Sequence, residues 1–244
     1  MNTLLFSSQN PLRVFVLFSG KATAIQYLRR MDPEYNYSYT IVGALTTHKK
    51  APGSAFFITH TNNIDSETRR KKNIKKESIS CEILDWKTFQ SENIEHKRKE
   101  YFQKILEILV SYDFDIIVCS GFHLRIPDFF IKSISPKKIV NTHPTDLSVI
   151  NITTRKRWFI GLWKQAIQLV LDSGIGESRS TTHYITAGND IDDGEIIAQS
   201  QWFGLVLHEN REQVQDRMVR MGSDGEALAR ALYMICNETA PRIN

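Results

Sequence analysis

Cysteine is scarce. Cys81, Cys119 and Cys236 are the three in 244 residues, odd in number and widely spaced. They exclude a disulfide scaffold and fit a reducing compartment, so a cytoplasmic location is expected. No CxxC pair occurs and the His residues lack zinc spacing, so no metal is expected. No apolar run reaches ~18 residues, which leaves no expected membrane span. The opening MNTLLFSSQNPLRV has a short apolar stretch and no Ala-x-Ala site, so no signal peptide is expected. An excess of one charge is missing too: 31 Lys+Arg face 27 Asp+Glu, and a net +4 does not by itself imply nucleic acid. Internal repeats are absent.

With 41% hydrophobic and 24% charged residues, the chain has the composition of an ordinary globular protein, and disorder throughout is excluded. Its length predicts one large domain, or one domain with an appendage. Charge is concentrated in residues 69–76, RRKKNIKK, with six positive groups. A solvated loop, a docking patch for a phosphate-bearing substrate or partner, and a nuclear signal or RNA contact all fit that run. No aromatics interleave with it, which argues against base stacking.

Along the chain, Arg13–Phe18 (RVFVLF) reads as a buried strand, followed by Ser19-Gly20 and a helix with Ile25, Leu28 and Met31 on one face. Residues 37–46 predict a second strand, 47–80 a loop with a short helix, and 81–84 a short strand. Residues 92–112 carry Ile94, Tyr101, Ile105, Leu109 and Tyr112 on one face, a helix with Ser91 as its expected cap. The run 116–120 (IIVCS) is apolar on both faces, as a central parallel strand should be. Pro127 opens a short helix; strands are predicted at 138–142, 180–186 and 195–200, and a helix at 161–173. Residues 210–236 predict one long helix or two, broken at 222–225. The fold class is therefore α/β: a mostly parallel, Rossmann-like sheet with helices on both faces. Its site lies beyond the carboxyl ends of the strands, at Gly20, Gly121 and His143.

Asn141 and His143, in KIVNTHP (138–144), are two apart at a strand end, so both side chains leave one face. An amide donor and a nitrogen that titrates near neutrality can polarise a carbonyl and move a proton; an Asn-x-His pair also serves in capping or structure. The stretch THYITAGNDIDDGEIIAQ (182–199) carries His183 into an acidic loop. Carboxylates at such a turn often serve as turn formers, and the EF-hand pattern is absent. Ser19 to Thr23 is too short and too poor in glycine for a Walker loop or a GxGxxG fingerprint.

Taken in order, SGKATAIQYL, VCSGFHLRIPDFF, IVNTHP and THYIT…DIDDGEIIAQ resemble the folate-dependent formyltransferases of the glycinamide ribonucleotide transformylase type, over most of 13–200. That family carries Ser-Gly-x-Gly-Ser/Thr-Asn, Ala-Gly-Phe-Met-Arg, Asn-Ile-His-Pro and His-x-Val…Asp-x-Gly-x-Ile-x-x-Gln. The resemblance implies one formyltransferase domain over 1–244, with 1–12 an extension, 13–200 the catalytic core and 201–244 a helical segment. It implies Asn141, His143 and Asp192 as the catalytic set. Asp192 keeps the Asp-x-Gly-x-Ile register, but its loop is longer than the family's by two residues, so Asp190 competes. 10-Formyltetrahydrofolate is the implied formyl donor, held against Phe122, Arg125, Ile126, Thr186 and Asp190. GFHLRI has one residue more than GFMRI, so the match of Arg125 is shifted. The acceptor amine is expected against Gly20, Lys21, Ala22 and Thr23. In the implied mechanism Asn141 and His143 donate to the formyl oxygen, and Asp192 raises the proton affinity of His143. His183 is expected to pack behind the site as a strand residue.

Departures fall at the acceptor end. Ala22 and Ala24 replace the family's second glycine and its Asn. TTHKKAPGSAFF follows the second strand, and TDLSVINITTRKRWFI replaces the usual Ser-Leu-Leu-Pro stretch. Arg155, Lys156 and Arg157 then favour an anionic acceptor. Glycinamide ribonucleotide is the acceptor to name, with an amino-sugar nucleotide or a specialised amine as the rival. Initiator-tRNA formylation and formyltetrahydrofolate hydrolysis rank lower, since both relatives carry an added domain. The reading from another class is a non-catalytic binding module working through 69–76. Expected partners are folate and a small-molecule amine, with a homodimer possible and neither membrane nor nucleic acid expected.

Overall fold

The computed structural model describes residues 11–35, 39–59, 79–135, 138–188 and 190–238. The basic run 69–76 and residues 1–10 of the expected extension lie outside the described residues.

Strands β1 (Leu12–Phe18), β2 (Tyr39–Thr46), β3 (Cys81–Ile83), β4 (Ile116–Ser120), β5 (Lys138–His143), β7 (Thr181–Ile185) and β8 (Ile196–Gln199) form one sheet in the order β3-β2-β1-β4-β5-β7-β8. Pairings from β3 to β5 are parallel, while β7 and β8 join antiparallel. The expected architecture is therefore present, with an antiparallel edge. A small ribbon of β6 (Glu177–Ser178) with β9 (Phe203–Gly204) is an addition that the sequence pattern does not signal.

Strand β1 shows why both faces are covered. Val14, Val16 and Phe18 point to one face and Phe15 and Leu17 to the other, the period-two alternation of a strand. On the first face lie α1 (Thr23–Tyr35), α2 (Gly53–Thr59) and α7 (Ser223–Glu238), through Ile25, Leu28, Phe57, Leu228 and Leu232. On the second lie α3 (Ile94–Leu109) and α4 (Asp128–Ile134), through Tyr101, Phe102, Ile105, Phe130 and Ile134. Helices α5 (Trp163–Asp172) and α6 (Arg211–Met221) pack together around Ile167, Val214 and Met218.

The terminal helical stretch is two helices, parted by Gly222 at φ 73, a left-handed cap for α6. The cap of α3 is Asn93, not Ser91: Asn93 Oδ1 accepts from the Glu95 and His96 amides, and Ser91 Oγ accepts from the Asn93 amide. The larger acceptor, two residues nearer the helix, reaches both open N–H groups.

Candidate active site

Where β1, β4 and β5 end, the loops open a cleft of about 690 Å³. Its floor is the end of β5. Asn141 and His143 leave β5 on one face, and β7 runs antiparallel beside it with His183 directly opposite Asn141. The loop 186–194 folds back over both strands. Gly194 permits that return: a Cβ there would sit 1.7 Å from the Tyr184 carbonyl oxygen.

This return brings Asp192 inward. Its Oδ2 lies 3.6 Å from His143 Nδ1 and its Oδ1 lies 3.6 Å from His183 Nε2. The Gly161 amide donates to Oδ2 at 2.9 Å, and Arg157 donates to the backbone carbonyls of Asp192 and Gly194. Asp192 itself takes the left-handed φ of 57. The two competing carboxylates thus differ in kind. Asp192 is 10% exposed among imidazoles, whereas Asp190 is 67% exposed and holds Lys156 at 2.7 Å.

Each imidazole is anchored at its far nitrogen by a backbone carbonyl, which can only accept. His143 Nε2 donates to the Phe159 oxygen at 2.8 Å, and His183 Nδ1 donates to the Tyr184 oxygen at 3.0 Å. When neutral, both rings therefore turn a lone pair inward. Burial drives the proton affinity of His143 down, and the Asp192 charge, which works upward, does not overcome it. Asp192 thus acts on His143 in the expected direction, and burial outweighs it. For Asp192, burial pushes the carboxyl up, but His183, His143 and the Gly161 amide together hold it below the usual range.

The expected folate-side residues Phe122, Arg125, Ile126, Thr186 and Asp190 all line the cleft, as do Gly20, Lys21, Ala22 and Thr23, whose loop is tied to the 121–126 loop through the Ser19 backbone and hydroxyl. Ala22 keeps a left-handed φ of 52, a conformation that glycine adopts freely and alanine at a cost of ~1 kcal/mol. Lys156 and Arg157 are not free cations awaiting an anionic acceptor: Asp190 and the 192–194 backbone engage them.

His183 does not pack behind the site; it lines the cleft. Gly161 and the Phe159 carbonyl also belong to the site, and sequence reasoning misses both because backbone groups carry no residue-type signal. Among the described residues no group of His, Cys, Asp and Glu is arranged to hold a metal, and no helix is long and apolar enough to cross a membrane.

An amide donor, paired imidazoles and a buried carboxylate at the carboxyl edge of an α/β sheet are the groups that acid–base chemistry at a carbonyl needs. The chain belongs to the formyl transferase family, whose model matches residues 12–232, and it is a formyl-transferring enzyme. Solved structures share its fold. Phosphoribosylglycinamide formyltransferase from Bacillus halodurans is 19% identical with a TM-score of 0.68, covering 95% of this chain and 98% of that one. The enzyme of the same name from Brucella melitensis is 21% identical with a TM-score of 0.66, covering 96% and 98%. The formyltetrahydrofolate deformylase of Bacillus subtilis is 35% identical over 105 residues, a match spanning 42% of this chain and 29% of that protein.

Proposed function

We propose that the protein transfers the formyl group of 10-formyltetrahydrofolate to a primary amine of a small acceptor, with glycinamide ribonucleotide the first candidate. The observation carrying this reading is the convergence of Asn141, His143 and Asp192 on one floor, between the loop 121–126 and the loop 186–192. The pterin end of folate lies against those loops. The acceptor enters from Gly20–Thr23, where Lys21 and the start of α1 favour an anionic group.

The neutral amine attacks the formyl carbon, and negative charge grows on the formyl oxygen. Asn141 Nδ2 donates to that oxygen. His143 starts neutral with Nδ1 as an acceptor, takes a proton displaced from the amine, and then donates to the oxygen as imidazolium. Asp192 holds that charge. The carbon–N10 bond then breaks and N10 receives the proton, so the cycle closes without net acid or base.

The test is incubation with 10-formyltetrahydrofolate and a panel containing glycinamide ribonucleotide, amino-sugar nucleotides and simple amines. A formylated amine with stoichiometric tetrahydrofolate is expected. The deformylase match favours a second reading, in which water replaces the amine. Formate release at an unchanged rate with and without every amine would establish that reading instead.

A further inference from the structure

The proposed transfer needs an amide whose N–H faces the formyl oxygen, and an asparagine amide can turn either way about its last bond. We infer that His183 is a positioning residue that fixes the direction of Asn141; this rests on the formyl-transfer reading above. His183 Nε2 lies 3.4 Å from Asn141 Nδ2, across the β5–β7 pairing in which the two residues are direct partners. Its Nδ1–H is committed to the Tyr184 carbonyl at 3.0 Å, so neutral His183 has its single lone pair on Nε2. That lone pair accepts one hydrogen of the Asn141 amide and leaves the other for the formyl oxygen.

The same nitrogen lies 3.6 Å from Asp192 Oδ1. A lone pair cannot donate to a carboxylate, so neutral His183 serves Asn141 alone. The ionisable groups facing this centre are Asp192 and His143, with the Arg157 guanidinium behind the Asp192 and Gly194 carbonyls. The ring is not a core-packing group: it is 2% exposed yet borders the cleft, with polar atoms on both nitrogens.

Two variants and one spectrum test this. His183→Phe keeps a flat ring and removes the lone pair. His183→Gln restores an acceptor for Asn141. With the acceptor identified by the amine panel, His183→Phe is expected to lose ~10²-fold in kcat with KM for folate little changed, the scale of a misplaced reacting group. His183→Gln is expected to recover most of that loss. Equal activity in His183→Phe and wild type, or equal loss in both variants, would overturn the assignment. Independently of turnover, histidine side-chain nitrogen spectra of the wild-type protein are expected to show the neutral His183 ring protonated at Nδ1 and bare at Nε2. A proton on Nε2 overturns the inference even if His183→Phe fails to fold. If wild type formylates no amine and binds no folate, the formyl-transfer reading fails on its own, and the spectrum still decides the tautomer.

Discussion

Two parts of the cleft lining are built by opposite rules. At the floor, side chains are fixed by backbone: Phe159 and Tyr184 carbonyls anchor the imidazoles, and the Gly161 amide anchors Asp192. His143 and His183 are 3% and 2% exposed there. At the Gly20–Thr23 loop, Lys21 is exposed and no hydrogen bond from its side chain fixes it among the described residues. Under the proposed reading the floor is fixed by backbone contacts while acceptor recognition falls to loops, so acceptor identity could change without disturbing the floor.

Five measurements sharpen or break that contrast. The largest effect belongs to paired carboxylate variants. Asp192→Asn is expected to lose ~10³-fold or more in kcat, within the range of positioned acid–base groups, while Asp190→Asn stays active. Equal losses would erase the distinction between floor and rim. Asn141→Ala is expected to lose ~10²–10³-fold in kcat with the Tm preserved. Gly194→Ala is expected to destabilise the fold by ~3 kcal/mol, because a methyl would overlap the Tyr184 carbonyl; a denaturant titration gives the value, and a wild-type midpoint would refute the close packing.

A smaller effect concerns acid. His143 binds its proton less readily folded than unfolded, so the unfolded state gains protons first, and stability falls as pH drops below ~6.5. Asp192 is also depressed, so its contribution is present above ~4 and is lost as pH falls through its folded value. Tm measured against pH should therefore decline in two stages on acidification; a Tm that rises below neutrality would reverse both signs. The smallest effect is at the Gly20–Thr23 loop. Ala22→Gly relieves the left-handed strain but gives up a buried methyl and stiffens the unfolded chain less, so stability should change by under ~1 kcal/mol. A large change there would show that this loop is as tightly specified as the floor.

Much of this is legible in the residues. A short β-branched and aromatic run marks β1, a doubly apolar run marks β4, and the two-residue spacing of Asn141 and His143 at a strand end puts them on one face. The Asp-x-Gly register favours Asp192, and Gly194 is where that register has a physical cause. What stays hidden depends on tertiary approach. His183 reaches the site only because β7 pairs antiparallel with β5, and nothing in its own neighbourhood announces that partner. Lys156 and Arg157 look like free cations in the sequence because their carboxylate and carbonyl partners lie more than thirty residues away. The sign of the His143 shift likewise depends on how completely the ring is buried, which a single sequence does not state.

The most direct measurement is a crystal structure with 10-formylfolate, a stable analogue of the proposed donor. The formyl oxygen should lie ~3 Å from Asn141 Nδ2, with the pterin against 121–126 and Asp192 still facing both imidazoles. A folate bound outside the cleft, or a formyl group turned away from Asn141, would remove the basis for assigning these residues to the reaction.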